Sequence, residues 1–190
     1  GSVGGDGGNF NYKATDYNIQ EWDKERLDKC YFDEMLRISK NKIIFGGNYY
    51  IDYLKPTSCF IVWDKDNSGN IADCELAWTS FDTATRLFKY RWNGMLQGNM
   101  KKKESRVHPT QKPVPLFEWI LKKYAKVGDT ICDPFCGSGT ILEACLNLDL
   151  ECLAIDKSNE WVDHYKKRLM SDNSKLTDTW GCYTTSKVRQ

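Results

Sequence analysis

The sequence predicts an α/β fold in which a mainly parallel sheet carries helices on both faces. The first observation is that strand and helix patterns alternate twice between residues 130 and 170, which implies parallel strands joined by right-handed crossovers. The second is a composition of 41% hydrophobic, 28% charged and 13% aromatic residues, which excludes a disordered, collagen-like or coiled-coil chain. The third is a length of 190 residues, which suits a single domain with its own core.

The first half of the chain contains short elements separated by turns. Apolar residues at helical spacing predict a helix over residues 28–40, and the apolar run at residues 43–45 predicts a buried strand that stops at Gly46-Gly47. A short helix is expected over residues 49–54. It should end there, because the residue before Pro56 is pushed out of the α region. Strands are predicted over residues 59–63, 72–80 and 87–92, and the turn at residues 66–70 favours antiparallel pairing there.

The second half follows a stricter pattern. Pro113 and Pro115 suit the first turn of a helix whose apolar face continues to Tyr124, and Gly128 ends it. A strand over residues 130–132, a helix over 138–148, a strand over 152–155 and a helix over 159–170 then form a β-α-β-α unit.

The charge of the chain is unevenly distributed. Between Arg86 and Lys112 eight basic residues stand against Glu104 alone, which is +7, so the rest of the chain, with 19 basic and 25 acidic residues, carries −6. Aromatic residues lie between these charges, and such a segment is typical of a surface that contacts nucleic-acid phosphates. The alternative is a solvated loop. The residues predicted to contact nucleic acid are Arg86, Lys89, Arg91, Lys101, Lys102, Lys103 and Arg106.

Other classes of protein are disfavoured by what the sequence lacks. The eight cysteines include no C-x-x-C pair and are accompanied by only two histidines, so we expect free thiols in a reducing compartment and no metal site. The longest apolar run, residues 59–63, is far shorter than the roughly 20 residues that span a bilayer. The opening Gly1-Ser2 does not resemble a secretory signal.

A glycine-containing turn between the predicted strand and helix at residues 133–140 indicates a nucleotide cofactor. Glycines let the backbone approach a ligand closely, and the helix amino terminus offers unpaired N–H groups. A third glycine at G-x-G-x-x-G spacing and a Gly-Lys-Ser/Thr triplet are both absent, which argues against a dinucleotide fingerprint and a P-loop. Asp156, at the end of the next strand, suits hydrogen bonds from ribose hydroxyls. The alternative is a tight turn without a ligand.

Two motifs resemble those of one enzyme family. Asp133-Pro134-Phe135-Cys136-Gly137-Ser138-Gly139-Thr140 resembles motif I of S-adenosylmethionine-dependent DNA amino-methyltransferases, and His108-Pro109-Thr110-Gln111-Lys112-Pro113 resembles the motif X that precedes it in their β-group. The stretches at residues 31–35 and 43–50 resemble short phage-type and restriction-modification adenine methyltransferases. The resemblance implies a Rossmann-like class I methyltransferase sheet with a circularly permuted motif order.

The resemblance also implies site residues. Those expected beneath or beside S-adenosylmethionine are Asp133, Phe135, Cys136, Gly137, Ser138, Gly139 and Thr140 of motif I. Thr110, Gln111 and Lys112 would lie near its methionine end and Asp156 would hold its ribose. Lys157 or Ser158 would lie beside its adenine. For His108 a role in the site and a purely structural role at the helix entry stay open.

The family's motif IV, of the type Asp/Asn/Ser-Pro-Pro followed by an aromatic residue, has no counterpart, because the sequence contains no Pro-Pro pair. The catalytic residues are therefore unassigned, and the expectation is a chain that begins just after that motif, with a sheet incomplete at its amino-terminal side. The expected reaction is methyl transfer to the exocyclic amine of a flipped base, with adenine N6 as the first choice and cytosine N4 as the second. The alternatives are an inactive fragment or pseudoenzyme that binds cofactor or DNA, and an RNA or protein methyltransferase.

The expected organisation is one methyltransferase domain over residues 1–190. It comprises a Gly-rich loop (1–20), a catalytic half (20–80), a target-recognition segment (81–107), a cofactor-binding region (108–170) and a tail (171–190). The resemblance implies double-stranded DNA as the partner and a bacterial or phage-encoded cytoplasmic protein, and it leaves room for a homodimer and a restriction endonuclease partner.

Overall fold

The computed structural model describes residues 26–67, 72–93, 96–108, 110–171 and 181–184. Its strands form a four-stranded sheet, a three-stranded sheet and a two-stranded hairpin, with α-helices between them. Within these residues no helix is long and apolar enough to cross a bilayer.

The first helix and the first sheet come from the amino-terminal half of the described chain. Helix α1 (Lys29–Ile38) begins after Asp28, whose side chain accepts a hydrogen bond from the Cys30 N–H. The sheet contains β1 (Ile43–Phe45), β2 (Phe60–Asp64), β3 (Cys74–Thr79) and β4 (Arg86–Lys89) in the order β1-β3-β2-β4. The predicted antiparallel pairing is confirmed for β1 with β3 and for β3 with β2.

The pairing of β4 corrects the sequence analysis, because β4 runs parallel to β2, with Val62 opposite Leu87. The segment after β3 returns to the start of β2 before β4 begins. There the Ser58 hydroxyl donates to the Thr83 carbonyl at 3.2 Å, and the Phe60 N–H donates to Thr85 Oγ1 at 3.2 Å. This return sets β4 beside β2 in the same direction. The single strand expected over residues 87–92 is also divided, since β5 (Trp92–Asn93) pairs with β6 (Leu96–Gln97) in a hairpin.

The short helix expected over residues 49–54 is wrong. The structure has one 3₁₀ turn at Gly47–Tyr49, followed by hydrogen-bonded and open turns. Packing explains the difference: the Phe32 ring of α1 contacts the rings of Tyr50 and Tyr53 at centroid distances of 4.6 and 5.3 Å. These contacts hold the segment against α1 in place of a regular helix.

The second sheet confirms the predicted β-α-β-α unit. Strands β7 (Thr130–Asp133), β8 (Glu151–Asp156) and β9 (Gly181–Thr184) are parallel, in the order β7-β8-β9. Helix α3 (Thr140–Asn147) joins β7 to β8, and α4 (Asn159–Ser171) follows β8. Strand β9 was not predicted, because it lies in residues 171–190, which were expected to form a tail.

Helix α2 (Val114–Tyr124) connects the cores beneath the two sheets. Val114 and Leu121 pack in the cluster formed by α3, β8 and α4, whereas Leu116 and Ile120 pack with Ile61 and Trp63 of β2. With 11 residues at about 1.5 Å each, α2 is about 16 Å long. One helix thus contributes apolar side chains to both clusters.

Candidate functional site

The loop between β7 and α3 is the centre of the candidate site. The Phe135 N–H donates to Asp133 Oδ1 at 3.0 Å, and the Gly139 N–H donates to the Cys136 carbonyl at 2.8 Å. Gly137 and Gly139 have φ angles of +48° and +73°, in the left-handed region that residues other than glycine rarely adopt. The loop is therefore a tight turn held by its own hydrogen bonds at the carboxyl end of β7.

Gly139 is required by packing as well as by its backbone angle. A Cβ atom on this residue would lie 2.6 Å from Tyr165 Cβ, which is closer than real Cβ atoms approach other atoms. Tyr165 is a fully buried residue of α4. The missing side chain thus lets α4 pack directly against the residue that precedes α3.

Asp156 joins this loop to the end of β8. Its Oδ2 accepts the Gly137 N–H and its Oδ1 accepts the Ser158 N–H, both at 2.8 Å. A carboxylate has about four acceptor positions, so two remain after these bonds. The structure thus brings Asp156 and the glycine loop together, and it leaves the carboxylate with capacity to accept hydrogen bonds from a ligand.

A second carboxylate lies close to Asp156. Burial raises the pKa of Asp133 above its ordinary value, and the negative charge of Asp156 acts in the same direction. The hydrogen bond from the Phe135 N–H and the positive charge of Lys112 oppose this rise. The ends of β7 and β8 therefore each carry a carboxylate at the glycine loop, and the two interact electrostatically.

The segment at residues 107–112, of which the structure describes all but residue 109, places His108 against the loop. His108 is buried, and its ring meets the Trp161 ring of α4 edge to face at 4.6 Å. Its Nδ1 accepts the Thr110 N–H at 3.2 Å and lies 3.0 Å from Thr110 Oγ1. A Cβ on Gly137 would lie 3.8 Å from His108 Nε2. Burial lowers the pKa of His108, helped by Lys112 and Arg106 and opposed by Asp156. His108 therefore fixes this segment against the loop and α4.

Gln111 and Lys112 have partners within the chain. The Gln111 side chain accepts the Val107 N–H at 2.9 Å and donates to the Ser105 carbonyl at 3.1 Å, and the residue is only 5% exposed. Lys112 Nζ lies 3.3 Å from Glu75 Oε2, whose other oxygen pairs with Lys65 at 2.8 Å. Cofactor contacts from these two residues stay predictions, and the structure shows them holding the segment in place.

The other predicted cofactor residues differ in exposure. Cys136, Ser138 and Thr140 are buried, whereas Lys157 and Thr110 are exposed. Phe135 is 51% exposed, and its ring meets that of Tyr31 at 6.0 Å. Sequence reasoning did not assign Tyr31 to the site, although it lies in the stretch 31–35 that resembles adenine methyltransferases, because only the fold brings α1 to this loop.

The seven basic residues predicted to contact nucleic acid lie in three places. Lys89 and Arg91 both pair with Asp66, each at 2.7 Å. Arg86 lines a cavity of about 550 Å³ beside Tyr124 at the carboxyl end of α2. The exposed residues of the loop after β6 form the third group and are Lys101, Lys102, Lys103 and Arg106. Contact of these seven residues with nucleic acid stays a prediction.

The loop after β6 is held by hydrogen bonds, although its basic side chains are exposed. The Gln97 amide donates to the Glu104 carbonyl at 2.7 Å and accepts the Glu104 N–H at 2.8 Å. The Glu104 carboxylate accepts the Val114 N–H at the start of α2, at 3.1 Å. Trp92 Nε1 donates to the Gln111 carbonyl at 3.0 Å. The basic loop is thus attached to the segment that covers the glycine loop.

Comparison with known proteins identifies the family. Residues 6–167 match the N6/N4 methyltransferase family model, described as DNA methylase. Over 70 residues, 37% of this chain, the sequence is 39% identical to the Type II methyltransferase M.HpaI of Haemophilus parainfluenzae. Over 82 residues, 43% of this chain, it is 39% identical to the Type II methyltransferase M2.DpnII of Streptococcus pneumoniae. These matches span 22% and 30% of the two relatives.

A solved structure supports the fold assignment. The M1.HpyAVI–SAM complex superposes with a TM-score of 0.55 at 26% identity and covers 77% of this chain and 84% of that one. The family match extends over most of the 190 residues and includes the glycine loop, Asp156 and the segment that packs over them. The chain therefore belongs to the N6/N4 DNA methylase family of S-adenosylmethionine-dependent DNA methyltransferases.

Proposed function

We propose that this chain binds S-adenosylmethionine at the glycine loop and transfers its methyl group to the N6 amine of adenine in double-stranded DNA. One observation carries the proposal: the Asp156 carboxylate at the end of β8 holds the Gly137 N–H of the loop at the end of β7. Ligands of open α/β sheets bind at the carboxyl ends of parallel strands. Acidic side chains at such strand ends accept hydrogen bonds from ribose hydroxyls.

The residues of the loop fit a nucleoside cofactor. The positive φ angles of Gly137 and Gly139 keep side chains away from the turn, so that a ligand can approach the backbone. The remaining acceptor positions of Asp156 suit two ribose hydroxyls. The hydroxyls of Ser138 and Thr140 are further donors and acceptors at the start of α3. The cofactor, when bound, supplies an electrophilic methyl group on a sulfonium centre.

The DNA substrate must be presented with one base out of the stack, because the exocyclic amine lies inside the duplex. The exposed lysines at positions 101–103 would contact phosphates and position the duplex, which supports binding without fixing the sequence read. The hydrogen bond from the Gln111 side chain to the Ser105 carbonyl connects this loop with the cofactor region. The family membership supports DNA as the substrate.

Adenine is favoured over cytosine by the sequence alone. The stretches at residues 31–35 and 43–50, which form part of α1 and the region of β1, are those that resemble adenine methyltransferases. The permuted motif order belongs to the same proposal, since the candidate catalytic half precedes the cofactor region in the chain.

The test is transfer of labelled methyl from S-adenosylmethionine to unmethylated DNA by the 190-residue chain, followed by digestion to nucleosides. Labelled N6-methyladenine supports the proposal. N4-methylcytosine would keep the enzyme class and overturn the choice of base. Cofactor binding without transfer would favour the second candidate, a binding protein without turnover, which the absence of a Pro-Pro pair motivates. Transfer to RNA in preference to a competing DNA duplex would overturn DNA as the substrate.

A further inference from the structure

We propose that Tyr31 and Phe135 form an aromatic wall on which the flipped nucleobase stacks beside the glycine loop. The ligand is a planar, unpaired nucleobase, and the residue newly assigned to the site is Tyr31. This inference rests on the proposed function and adds to it the group that holds the target base.

The geometry of the two rings leaves a surface open. Their centroids are 6.0 Å apart and their planes are inclined at 61°, so the edge of one ring meets the face of the other. Tyr31 is 50% exposed and Phe135 is 51% exposed, even though they contact each other. The pair therefore forms an open apolar corner, which suits a flat ring that stacks on one side chain and abuts the other.

Both rings are mounted on backbone that is already fixed. The Phe135 N–H donates to Asp133 Oδ1, and the next N–H, of Cys136, donates to the Ile155 carbonyl at 3.0 Å. The Tyr31 N–H donates to the Asp28 carbonyl at 3.2 Å in the capped first turn of α1. The open corner is thus held at the carboxyl end of β7, next to the residues proposed to bind the cofactor.

Attachment of α1 does not explain the exposed pair. That helix is anchored by Phe32, which is almost fully buried and packs against Tyr50 and Tyr53. The Tyr31 hydroxyl has no hydrogen-bond partner among the described residues, so no polar contact accounts for its position. Every base has a π face, so a stacking wall of this kind holds a base whatever its hydrogen-bonding pattern.

The test compares Tyr31→Ala and Tyr31→Phe with the unsubstituted chain and with Tyr49→Ala as a matched control. Tyr49 is 74% exposed and has no ring contact with the described residues. Methyl transfer to unmethylated genomic DNA is measured at saturating S-adenosylmethionine with DNA varied, and cofactor affinity is measured separately by equilibrium dialysis. We expect Tyr31→Ala to lower kcat/KM for DNA about 5- to 150-fold.

Three further results are expected if Tyr31 acts by stacking. Tyr31→Phe keeps kcat/KM near that of the unsubstituted chain, Tyr49→Ala does not change it, and the cofactor affinity of Tyr31→Ala stays within about twofold. Reduced cofactor affinity in Tyr31→Ala with unchanged DNA parameters would overturn the inference, as would equal reductions for Tyr31→Ala and Tyr31→Phe. If the unsubstituted chain transfers methyl and Tyr31→Ala is equally active, only this inference fails. If the unsubstituted chain transfers no methyl group, both the proposed function and this inference fail.

Discussion

The glycine loop at residues 133–140 and the basic segment at residues 86–106 are built in different ways. In the loop, backbone N–H groups and two carboxylates satisfy one another over a few residues, as when Asp156 accepts from both Gly137 and Ser158. In the basic segment the cations have different surroundings: Lys89 and Arg91 share one acid, Asp66, whereas Lys101, Lys102 and Lys103 are exposed. A site made by local backbone geometry can be recognised in a sequence, whereas a site made by charge depends on which acids the fold brings near.

The largest effect that would sharpen this comparison is expected for Gly139→Ala. The substitution places a Cβ 2.6 Å from Tyr165 Cβ at a φ of +73°. Left-handed backbone in a non-glycine residue costs about 1–3 kcal/mol and overpacking costs about 1–3 kcal/mol more, so the free energy of unfolding should fall by about 2–6 kcal/mol. Urea unfolding measures this decrease.

Gly128→Ala is the matched control for that substitution. Gly128 has a φ of +86°, and a Cβ there would have no neighbour within 4 Å, so only the backbone cost applies. Equal destabilisation of the two variants would show that the contact between the loop and α4 is not as tight as the structure indicates.

The next effect concerns the cofactor. Asp156→Ala removes the acceptor of two backbone N–H groups and the proposed acceptor of ribose hydroxyls. Removing the partner of buried polar groups should weaken S-adenosylmethionine binding by about 1–3 kcal/mol, measured by calorimetry. Asp66→Asn, which removes the acid paired with Lys89 and Arg91 of the basic segment, should leave cofactor affinity unchanged. An unaltered affinity for Asp156→Ala would remove this residue from the site.

A smaller effect is expected in DNA binding. Replacing Lys101, Lys102 and Lys103 by Gln should reduce the slope of log affinity against log salt by about 0.9 for each DNA phosphate that the protein no longer neutralises. The main-chain N–H groups of Lys101 and Lys102 are bound by Asn99 Oδ1, so the turn should survive. Anisotropy of a labelled duplex over a range of salt concentrations gives the slope.

Two single variants test whether the lysines of the loop after β6 act as a group. Lys89→Gln should change the salt slope less per charge, because Lys89 is paired with Asp66. Lys122→Gln, on α2, should not change it. A triple variant at positions 101–103 with the slope of the unsubstituted chain would contradict a role for that loop in phosphate binding.

The smallest effect is a pH dependence of stability. Burial lowers the pKa of His108 below its usual value of 6.5, so between the folded and unfolded values the unfolded chain binds more protons. The free energy of unfolding should therefore fall as the pH is lowered from 6.5 through the folded-state pKa. His108→Gln should flatten this part of the profile in urea unfolding at several pH values. An unchanged profile would mean that His108 is not held neutral against the loop.

The sequence predicted the β-α-β-α unit closely, because its signals are local. The glycines after β7 and the apolar spacing of α2 to α4 each describe a few neighbouring residues. The parallel pairing of β4 could not be predicted from its own residues, since it depends on hydrogen bonds of Thr83 and Thr85 with the start of β2. The exposed Tyr31 beside Phe135 escaped notice for the same reason, because α1 and the loop lie far apart in the sequence.

The charge pattern predicted a basic segment but not how its cations would be used. Arg86 begins β4 and lines the cavity beside Tyr124 at the carboxyl end of α2. Lys112 was predicted as a cofactor contact, and it forms an ion pair with Glu75. Glu75 belongs to β3 of the four-stranded sheet, whereas the glycine loop follows β7 of the three-stranded sheet. Such partners come from the tertiary fold, and neither spacing nor composition indicates them.

The central claim is that the glycine loop, Asp156 and the segment at residues 107–112 make a cofactor site within this chain. The most direct measurement is equilibrium dialysis of the 190-residue chain against labelled S-adenosylmethionine without DNA. The account predicts saturable binding of one cofactor per chain, weakened by Asp156→Ala and not changed by replacing the lysines at positions 101–103. Absence of saturable binding at millimolar cofactor by the folded chain would contradict it.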